Sequence, residues 1–153
     1  MSRNVEVLIL DQRLRIDEKS VGTCLMALAQ LTQFTVPQGD LEVAFVDPST
    51  CSRLHGDFFD DPDLTDVMTF PGDPEDGLAG NIAICPQIAA EACVESGLEF
   101  AAELTLYLVH SWLHLAGLED HDDAARNEMR QAEEVCMDHL HSRRSHLDCH
   151  WEG

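Results

Sequence analysis

The sequence has few basic residues. It contains 9 lysines and arginines against 29 aspartates and glutamates, which gives a formal net charge of −20 at pH 7. Arg143 and Arg144 are the only adjacent pair of basic residues. Proteins that bind RNA or DNA on their own present clustered lysine and arginine to the phosphates. The charge therefore gives no support for autonomous RNA binding, we expect no DNA partner, and the acidic surface serves solubility.

Long hydrophobic runs are also missing. No apolar stretch approaches the roughly 18 to 20 residues that a membrane helix needs. The segment MSRNVEVLIL turns polar within a few residues and lacks a small-residue cleavage site, so we expect neither a membrane partner nor a signal peptide. With 153 residues, 44% of them hydrophobic, the chain is expected to form one globular domain over 1–153.

A C-x-x-C pair is absent as well. The six cysteines have no regular spacing, and several lie in apolar stretches such as IAICPQ and AEACVE. This pattern is typical of buried, reduced thiols in a cytoplasmic protein, which is the location we expect. The disulfide framework of a secreted protein is the alternative reading of the same cysteines.

Hydrophobic patterning predicts four strands and five helices. The strands are short and rich in β-formers, over 5–10, 41–47, 65–70 and 79–85. The helices have apolar residues at helical spacing or capping residues at their ends, over 17–34, 47–56, 86–96, 99–117 and 121–141. The order β-α-β-α-β-β-α-α-α predicts an α/β or α+β domain with a four-stranded mixed sheet. Residues 138–153 carry four histidines and are expected to form a flexible tail.

The segment HSWLHLAGLEDH, from His110 to His121, indicates a metal site. Side chains at i and i+4 share a helix face, so His110 and His114 can direct two imidazoles at one ion. Gly117 suits a left-handed helix end, after which the chain can turn back towards the same ion. This H-x-x-x-H-x-x-G layout is that of the zincins and metzincins, whose zinc keeps one position open for water. We therefore predict one Zn²⁺ ion per chain.

One residue of the protease motif is missing. In H-E-x-x-H the glutamate after the first histidine is the general base, and here that position is Ser111. Peptidase chemistry is therefore disfavoured. A small-molecule or peptide hydrolase is the weakest of the functions that this segment suggests.

Three blocks, in the same order along the chain, resemble the YbeY family of bacterial endoribonucleases. HSWLHLAG resembles the family's H-[GS]-x-L-H-L-x-G, LTDVMTFPGD its P-T-D-V-L-S-F-P, and AGNIAICPQIAAEA its G-D-I-x-I-C-P-x-x-A. The blocks lie within about residues 40 to 135. The resemblance implies a zincin-like α/β fold and a metal-dependent endoribonuclease. It also implies a role in ribosomal RNA maturation and ribosome quality control, on the small ribosomal subunit or its rRNA.

Two residues compete for the place of the third metal ligand. The family's third histidine lies three positions after the glycine, where this chain has Asp120, and His121 follows one position later. Without a gap, Asp120 takes the ligand position, and a carboxylate oxygen is an adequate zinc ligand. A one-residue bulge after Gly117 would instead place His121 there, and both side chains could ligate.

Other departures from the family pattern affect the surface that would face RNA. The family has an arginine suited to phosphate before T-D-V, and counting back from Thr65 puts Phe59 at its position. Phenylalanine cannot hold a phosphate bidentately as arginine does. Asn81 replaces the family's aspartate and Leu64 its proline. These changes weaken the expectation of nuclease activity and leave the expected metal site intact. A non-catalytic ribosome-assembly factor with a structural metal is therefore the alternative function.

Asp66 is the candidate catalytic residue outside the histidine segment. It begins the strand predicted over 65–70, where its carboxylate could accept a hydrogen bond from a metal-ligating histidine or from the reacting water. A carboxylate that only caps the strand end is the alternative. The sequence assigns no general base.

Overall fold

The computed structural model describes residues 3–61 and 65–153, and the helices and strands below are those of these residues. The helices are α1 (Glu18–Ala29), α2 (Pro48–Phe59), α3 (Pro86–Ser96), α4 (Phe100–Leu115) and α5 (Asp123–Arg143), with a short 3-10 helix at Pro74–Asp76. The strands are β1 (Val5–Ile9), β2 (Leu14–Ile16), β3 (Asp40–Phe45), β4 (Val67–Pro71), β5 (Leu78–Ile84) and β6 (Cys149–Trp151). Leu64, at the position of the family's proline, lies outside the described residues.

The main sheet has four strands in the order β1-β3-β5-β4. β1, β3 and β5 run parallel, because helical segments lie between them in the sequence, whereas β4 joins β5 through a short turn and pairs with it in antiparallel fashion. In register, Val43 lies beside Val7 on one side and Ile82 on the other. The predicted α/β domain with a mixed four-stranded sheet and five helices is therefore confirmed.

Helix α4 lies at the centre of the core and contacts α3, α5, β4 and β5. Its apolar residues surround almost the whole helix, and those that are fully or almost fully buried include Leu104, Leu108, Val109, Trp112 and Leu113. Burying each such side chain stabilises the fold by about 1.5–3 kcal/mol. Only a narrow edge of α4 reaches the surface near its C-terminus, and His110 and His114 lie on that edge. The fold thus holds both histidines on a rigid element.

The C-terminus of α4 ends in a left-handed turn at Gly117, whose φ is +102°. The backbone N–H of Leu118 donates to the carbonyl of Leu113 and that of Gly117 donates to the carbonyl of His114, both at 3.0 Å. These two bonds define a Schellman motif, which needs a residue without a Cβ penalty at the left-handed position. The turn reverses the chain, so that the residues after Gly117 pass beside the histidines.

The structure corrects the expectation of a flexible tail over 138–153. Residues 138–143 complete α5, and β6 pairs with β2 in antiparallel fashion. Leu140 and Leu147 are buried in the main core. These two apolar residues hold the segment in place, although its four histidines suggest an exposed tail. The strand β2, which the sequence patterning also missed, is the partner that gives β6 its hydrogen bonds.

The ring of Trp151 fastens β6 to the body of the fold. It stacks on Phe100 with ring centroids 5.8 Å apart, and the Arg13 guanidinium lies 4.6 Å from its centroid. Arg13 in turn donates hydrogen bonds to the buried carboxylate of Asp11 at 2.8 and 3.0 Å. Although burial raises the pKa of Asp11, the hydrogen bonds and charge of Arg13 hold it below its ordinary value.

All six cysteines are free thiols, and four of them are buried, including Cys85 of IAICPQ, whereas Cys93 of AEACVE is partly exposed. Within 3–61 and 65–153, no helix has the length and apolar character that crossing a membrane requires.

Candidate metal centre

A cleft of about 390 Å³ opens at the exposed edge of α4. Side chains from α2, β4, α4 and the turn after α4 line it, among them His55, Phe59, Asp66, Thr69, His110, His114, Glu119 and Asp120. Its size lies within the range of small-ligand sites in proteins. No lysine or arginine is among its described lining residues, whereas three carboxylates are.

Three side chains that could hold a metal ion meet in this cleft: His110, His114 and Asp120. The two Nε2 atoms are 3.0 Å apart, and Oδ2 of Asp120 lies 3.4 Å from Nε2 of His110 and 3.5 Å from that of His114. Ligands that each lie 2.0–2.1 Å from one ion at tetrahedral angles are separated by about 3.3 Å. The observed separations fit a single ion held by two imidazole nitrogens and one carboxylate oxygen.

Hydrogen bonds at the far side of each ring determine which nitrogen is free. His114 donates from Nδ1 to the backbone carbonyl of Leu118 at 2.9 Å, and His110 donates from Nδ1 to Oε2 of Glu133 at 2.9 Å. In the neutral rings both Nε2 atoms are therefore acceptors, and their lone pairs face each other across 3.0 Å. A cation between them would relieve this repulsion, so the donor set fits a metal ion.

The electrostatic environment of His110 also favours positive charge. Burial lowers the pKa of His110, but the hydrogen bond and charge of Glu133, together with the charges of Asp120 and Asp66, raise it above its ordinary value. The negative potential that stabilises an imidazolium stabilises a bound cation in the same way.

His121 lies outside the group of three. Its side chain is 69% exposed, and its ring nitrogens lie 4.0 Å from a carboxylate oxygen of Glu119 and 3.4 Å from one of Asp122. Asp122, the residue after His121, is already the N-cap of α5. Asp120 therefore points towards the histidines in this loop, whereas His121 points to solvent.

Asp66 lines the cleft but is not hydrogen-bonded to either histidine in the described structure. Its carboxylate accepts a 2.8 Å hydrogen bond from the backbone N–H of Val67. The carboxylate that is hydrogen-bonded to one of the two histidines, His110, belongs to Glu133, which is 17% exposed on α5. The sequence feature that could have identified Glu133 is its position beside Ala132 and Cys136 on the buried face of α5, where an acidic residue needs a partner.

The residue at the position of the protease glutamate, Ser111, does not line the cleft. Ser111 is fully buried, and its hydroxyl is hydrogen-bonded to that of Thr69 on β4 at 2.9 Å. It fastens α4 to the sheet and cannot act on a water molecule in the cleft. Phe59, at the position of the family's arginine, lines the cleft with a half-exposed ring.

Fold and cleft together define an α/β domain whose candidate metal centre has the ligand layout of zincins. A sequence model of the family described as "Endoribonuclease YbeY" matches residues 8–141. The chain therefore belongs to the YbeY endoribonuclease family, and the resemblance found in its sequence is confirmed.

Individual relatives agree with this assignment. The endoribonuclease YbeY of Protochlamydia amoebophila is 38% identical over 105 residues, which cover 66% of this chain and 70% of that protein. The endoribonuclease YbeY of Clavibacter michiganensis is 33% identical over 129 residues, 78% of this chain and 84% of that protein. The solution structure of TM1509 from Thermotoga maritima is similar in fold, with a TM-score of 0.64, 24% identity and 92% of both chains covered.

Proposed function

We propose that this protein is a metal-dependent endoribonuclease that acts in the cytoplasm in small-subunit rRNA maturation and ribosome quality control. The observation that carries the proposal is the convergence of three ligand atoms, 3.0–3.5 Å apart, in the cleft of a YbeY-family domain. Two neutral imidazoles and a carboxylate are a donor set that zinc prefers.

The proposed cofactor is one Zn²⁺ ion per chain, held by His110, His114 and Asp120. Its chemistry, when bound, would be to polarise a phosphoryl oxygen and lower the pKa of a water molecule. Asp120 is preferred to His121 because its carboxylate already lies within 3.5 Å of both Nε2 atoms. A carboxylate neutralises more of the ion's charge than an imidazole does, so we expect a weaker Lewis acid than a three-histidine site provides.

Other groups of the site orient the two histidines and accept a proton from the reacting water. Glu133 and the carbonyl of Leu118 each hold a Nδ1–H group, which keeps both Nε2 lone pairs directed into the cleft. Asp66 lines the same cleft with an exposed carboxylate, fixed by the Val67 N–H. We assign it the role of accepting a proton from the attacking water.

The proposed partner is the small ribosomal subunit or its rRNA. The net charge of −20 and the absence of lysine and arginine from the described cleft lining mean that the protein's own electrostatics do not attract RNA. We therefore propose that contacts other than a basic surface deliver the RNA to the cleft. No DNA or membrane partner is proposed.

Incubation with rRNA tests this function. We expect the zinc-loaded protein to cleave small-subunit rRNA, free or within the subunit, to lose cleavage with a chelator and to regain it when zinc returns. The variant H110A/H114A should be inactive under all three conditions. A zinc-loaded wild-type protein that leaves both forms of the RNA intact would contradict the proposal.

The second candidate function is a non-catalytic ribosome-assembly factor with a structural metal. Phe59 at the arginine position and the acidic cleft favour it. Co-sedimentation with small subunits that needs zinc, without any RNA cleavage, would support it. A small-molecule or peptide hydrolase is less favoured, because Ser111 is buried and cannot replace the protease glutamate.

A further inference from the structure

Two adjacent phenylalanines at the end of α2 are exposed beside the candidate metal centre. Phe58 is 65% and Phe59 49% exposed. Both rings contact Phe70 of β4, with centroid distances of 5.1 Å from Phe58 and 5.9 Å from Phe59. We call these three residues the aromatic platform. Phe70 is partly buried against the core, so it holds the two exposed rings in place.

Of the three platform residues, Phe59 lies in the same cleft as the candidate metal centre. Phe59 lines the cavity that also contains His110, His114 and Asp120. The ring of His55 supports Phe59 from within α2, at a centroid distance of 5.3 Å. α2 ends immediately after Phe59, at Asp60 in the left-handed conformation, so Phe59 lies at the end of a helix rather than in the middle of a helix face.

The charge of the cleft defines what the platform can bind. The described lining includes the carboxylates of Asp66, Glu119 and Asp120 and no lysine or arginine, so anionic groups are repelled except at a bound metal ion. A neutral, flat aromatic group meets no such repulsion and buries apolar area on the phenylalanine rings. A nucleotide combines an anionic group with a flat aromatic group, since its phosphate suits a metal ion and its base suits an aromatic face.

We propose that the ring of Phe59, supported by Phe70 and extended by Phe58, stacks on an unpaired nucleobase of the RNA bound at the metal centre. This inference rests on the proposed function, since it takes RNA to be the substrate. It explains how a cleft with no arginine or lysine among its described lining residues would hold RNA: stacking on the base replaces contacts to the phosphate. Stacking does not read hydrogen-bonding edges, so the site accepts any of the four bases.

Binding of short RNA strands tests the stacking site. The probe is a fluorescein-labelled single strand of about six nucleotides, a length within the range that known single-strand-binding domains cover. Matched strands that each lack one base are measured beside it. Fluorescence anisotropy measures their affinity for zinc-loaded wild type, F59A, F59W and the control V94A. Val94 is an exposed apolar residue on α3, outside the cleft. A gel confirms that each strand is intact after the titration.

We expect F59A to weaken binding of the complete strand by about 5- to 150-fold, the loss that one stacked base implies. Wild type and F59A should bind the strand that lacks the stacked base equally, because the partner of Phe59 is already missing from it. F59W should restore the affinity for the complete strand, and V94A should not change it.

Equal weakening of the complete strand and of every base-deleted strand by F59A would overturn the stacking site, because it would reveal a structural effect. So would F59A binding all strands as tightly as wild type. If zinc-loaded wild type then still cleaves rRNA, the proposed function survives that result. If F59A loses affinity only for strands that carry the stacked base, and zinc-loaded wild type does not cleave rRNA, the stacking site is supported and the nuclease activity is rejected. Loss in F59A of binding to an aromatic peptide, but not to RNA, would make the platform a protein interface and overturn the proposal.

Discussion

Glu133 is the residue that links the candidate metal centre to the helix behind it. Its carboxylate accepts the 2.9 Å hydrogen bond from His110 Nδ1 and brings negative charge close to the ring. A carboxylate in this place makes a histidine a stronger metal ligand and fixes its orientation. No such group supports His114, which relies on the carbonyl of Leu118.

Replacing Glu133 by glutamine should weaken zinc binding by about 10- to 100-fold. The amide keeps a similar shape and can still accept a hydrogen bond, but it removes the charge that strengthens His110. The measurement is a zinc titration in competition with a chromophoric chelator. Glu134→Gln is the matched control, because Glu134 is the exposed neighbour on the same helix. Equal zinc affinity of the two variants would show that Glu133 has no part in the metal centre.

Alanine substitution separates the two candidates for the third ligand. Asp120→Ala should reduce zinc affinity by more than about a hundredfold, because a direct ligand contributes more than the group that orients one. His121→Ala should leave the affinity unchanged, since its ring faces solvent. The same chelator competition measures both variants. Retention of zinc by Asp120→Ala together with its loss in His121→Ala would reject the ligand set proposed here.

Local spacing made the helical part of the site predictable. His110, His114 and the turn at Gly117 follow from the period of one helix and its capping rules. Glu133 could not be found in this way, because its contact with His110 depends on how α5 packs against α4. Asp66 shows the reverse case: it lies directly before β4, close to the predicted start of the strand, but His110, one of the partners considered for it, is hydrogen-bonded to Glu133.

At the scale of elements, the long predicted helices and strands were found because their patterns are strong. α4 is apolar around nearly its whole circumference, and α2 begins at Pro48 with Asp47 as its N-cap. β2 and β6 were missed because three-residue strands are too short to show alternation. Their pairing joins residues near the two ends of the chain, a long-range contact that local patterning does not contain.

Trp151→Ala tests the role of β6 in holding the chain together. The substitution removes a ring that packs between Arg13 and Phe100, so we expect the free energy of unfolding to fall by about 2 kcal/mol. Urea unfolding of the zinc-saturated protein, followed by circular dichroism, measures this change. His150→Ala on the same strand is the control, since His150 is exposed. If the two variants unfold at the same urea concentration as wild type, the terminal strand adds nothing to stability.

At the scale of the whole molecule, the net charge of −20 bears directly on the proposed binding of RNA. Two polyanions repel each other, and salt screens that repulsion. Under the proposed function, long-range attraction cannot steer the RNA to the cleft, so the aromatic platform and the bound metal ion would have to supply the attraction over short distances.

The salt dependence of RNA binding should differ from that of a basic RNA-binding protein. A protein with several phosphate contacts loses about 10³- to 10⁵-fold in affinity between about 50 and 200 mM salt. Here we expect the affinity to stay level or to rise over this range, measured by anisotropy with the zinc-loaded protein. A steep fall would mean that basic residues outside the cleft bind the phosphates, contrary to the charge distribution described above.

The metal content of the protein as purified tests the central claim most directly. Elemental analysis of wild type, prepared without added zinc and freed of loosely bound ions, should find about one zinc ion per chain. The variant H110A/H114A, prepared alongside, should contain close to none. Wild-type protein without a bound metal ion, or a double variant that retains the wild-type amount, would contradict a metal centre built on His110, His114 and Asp120.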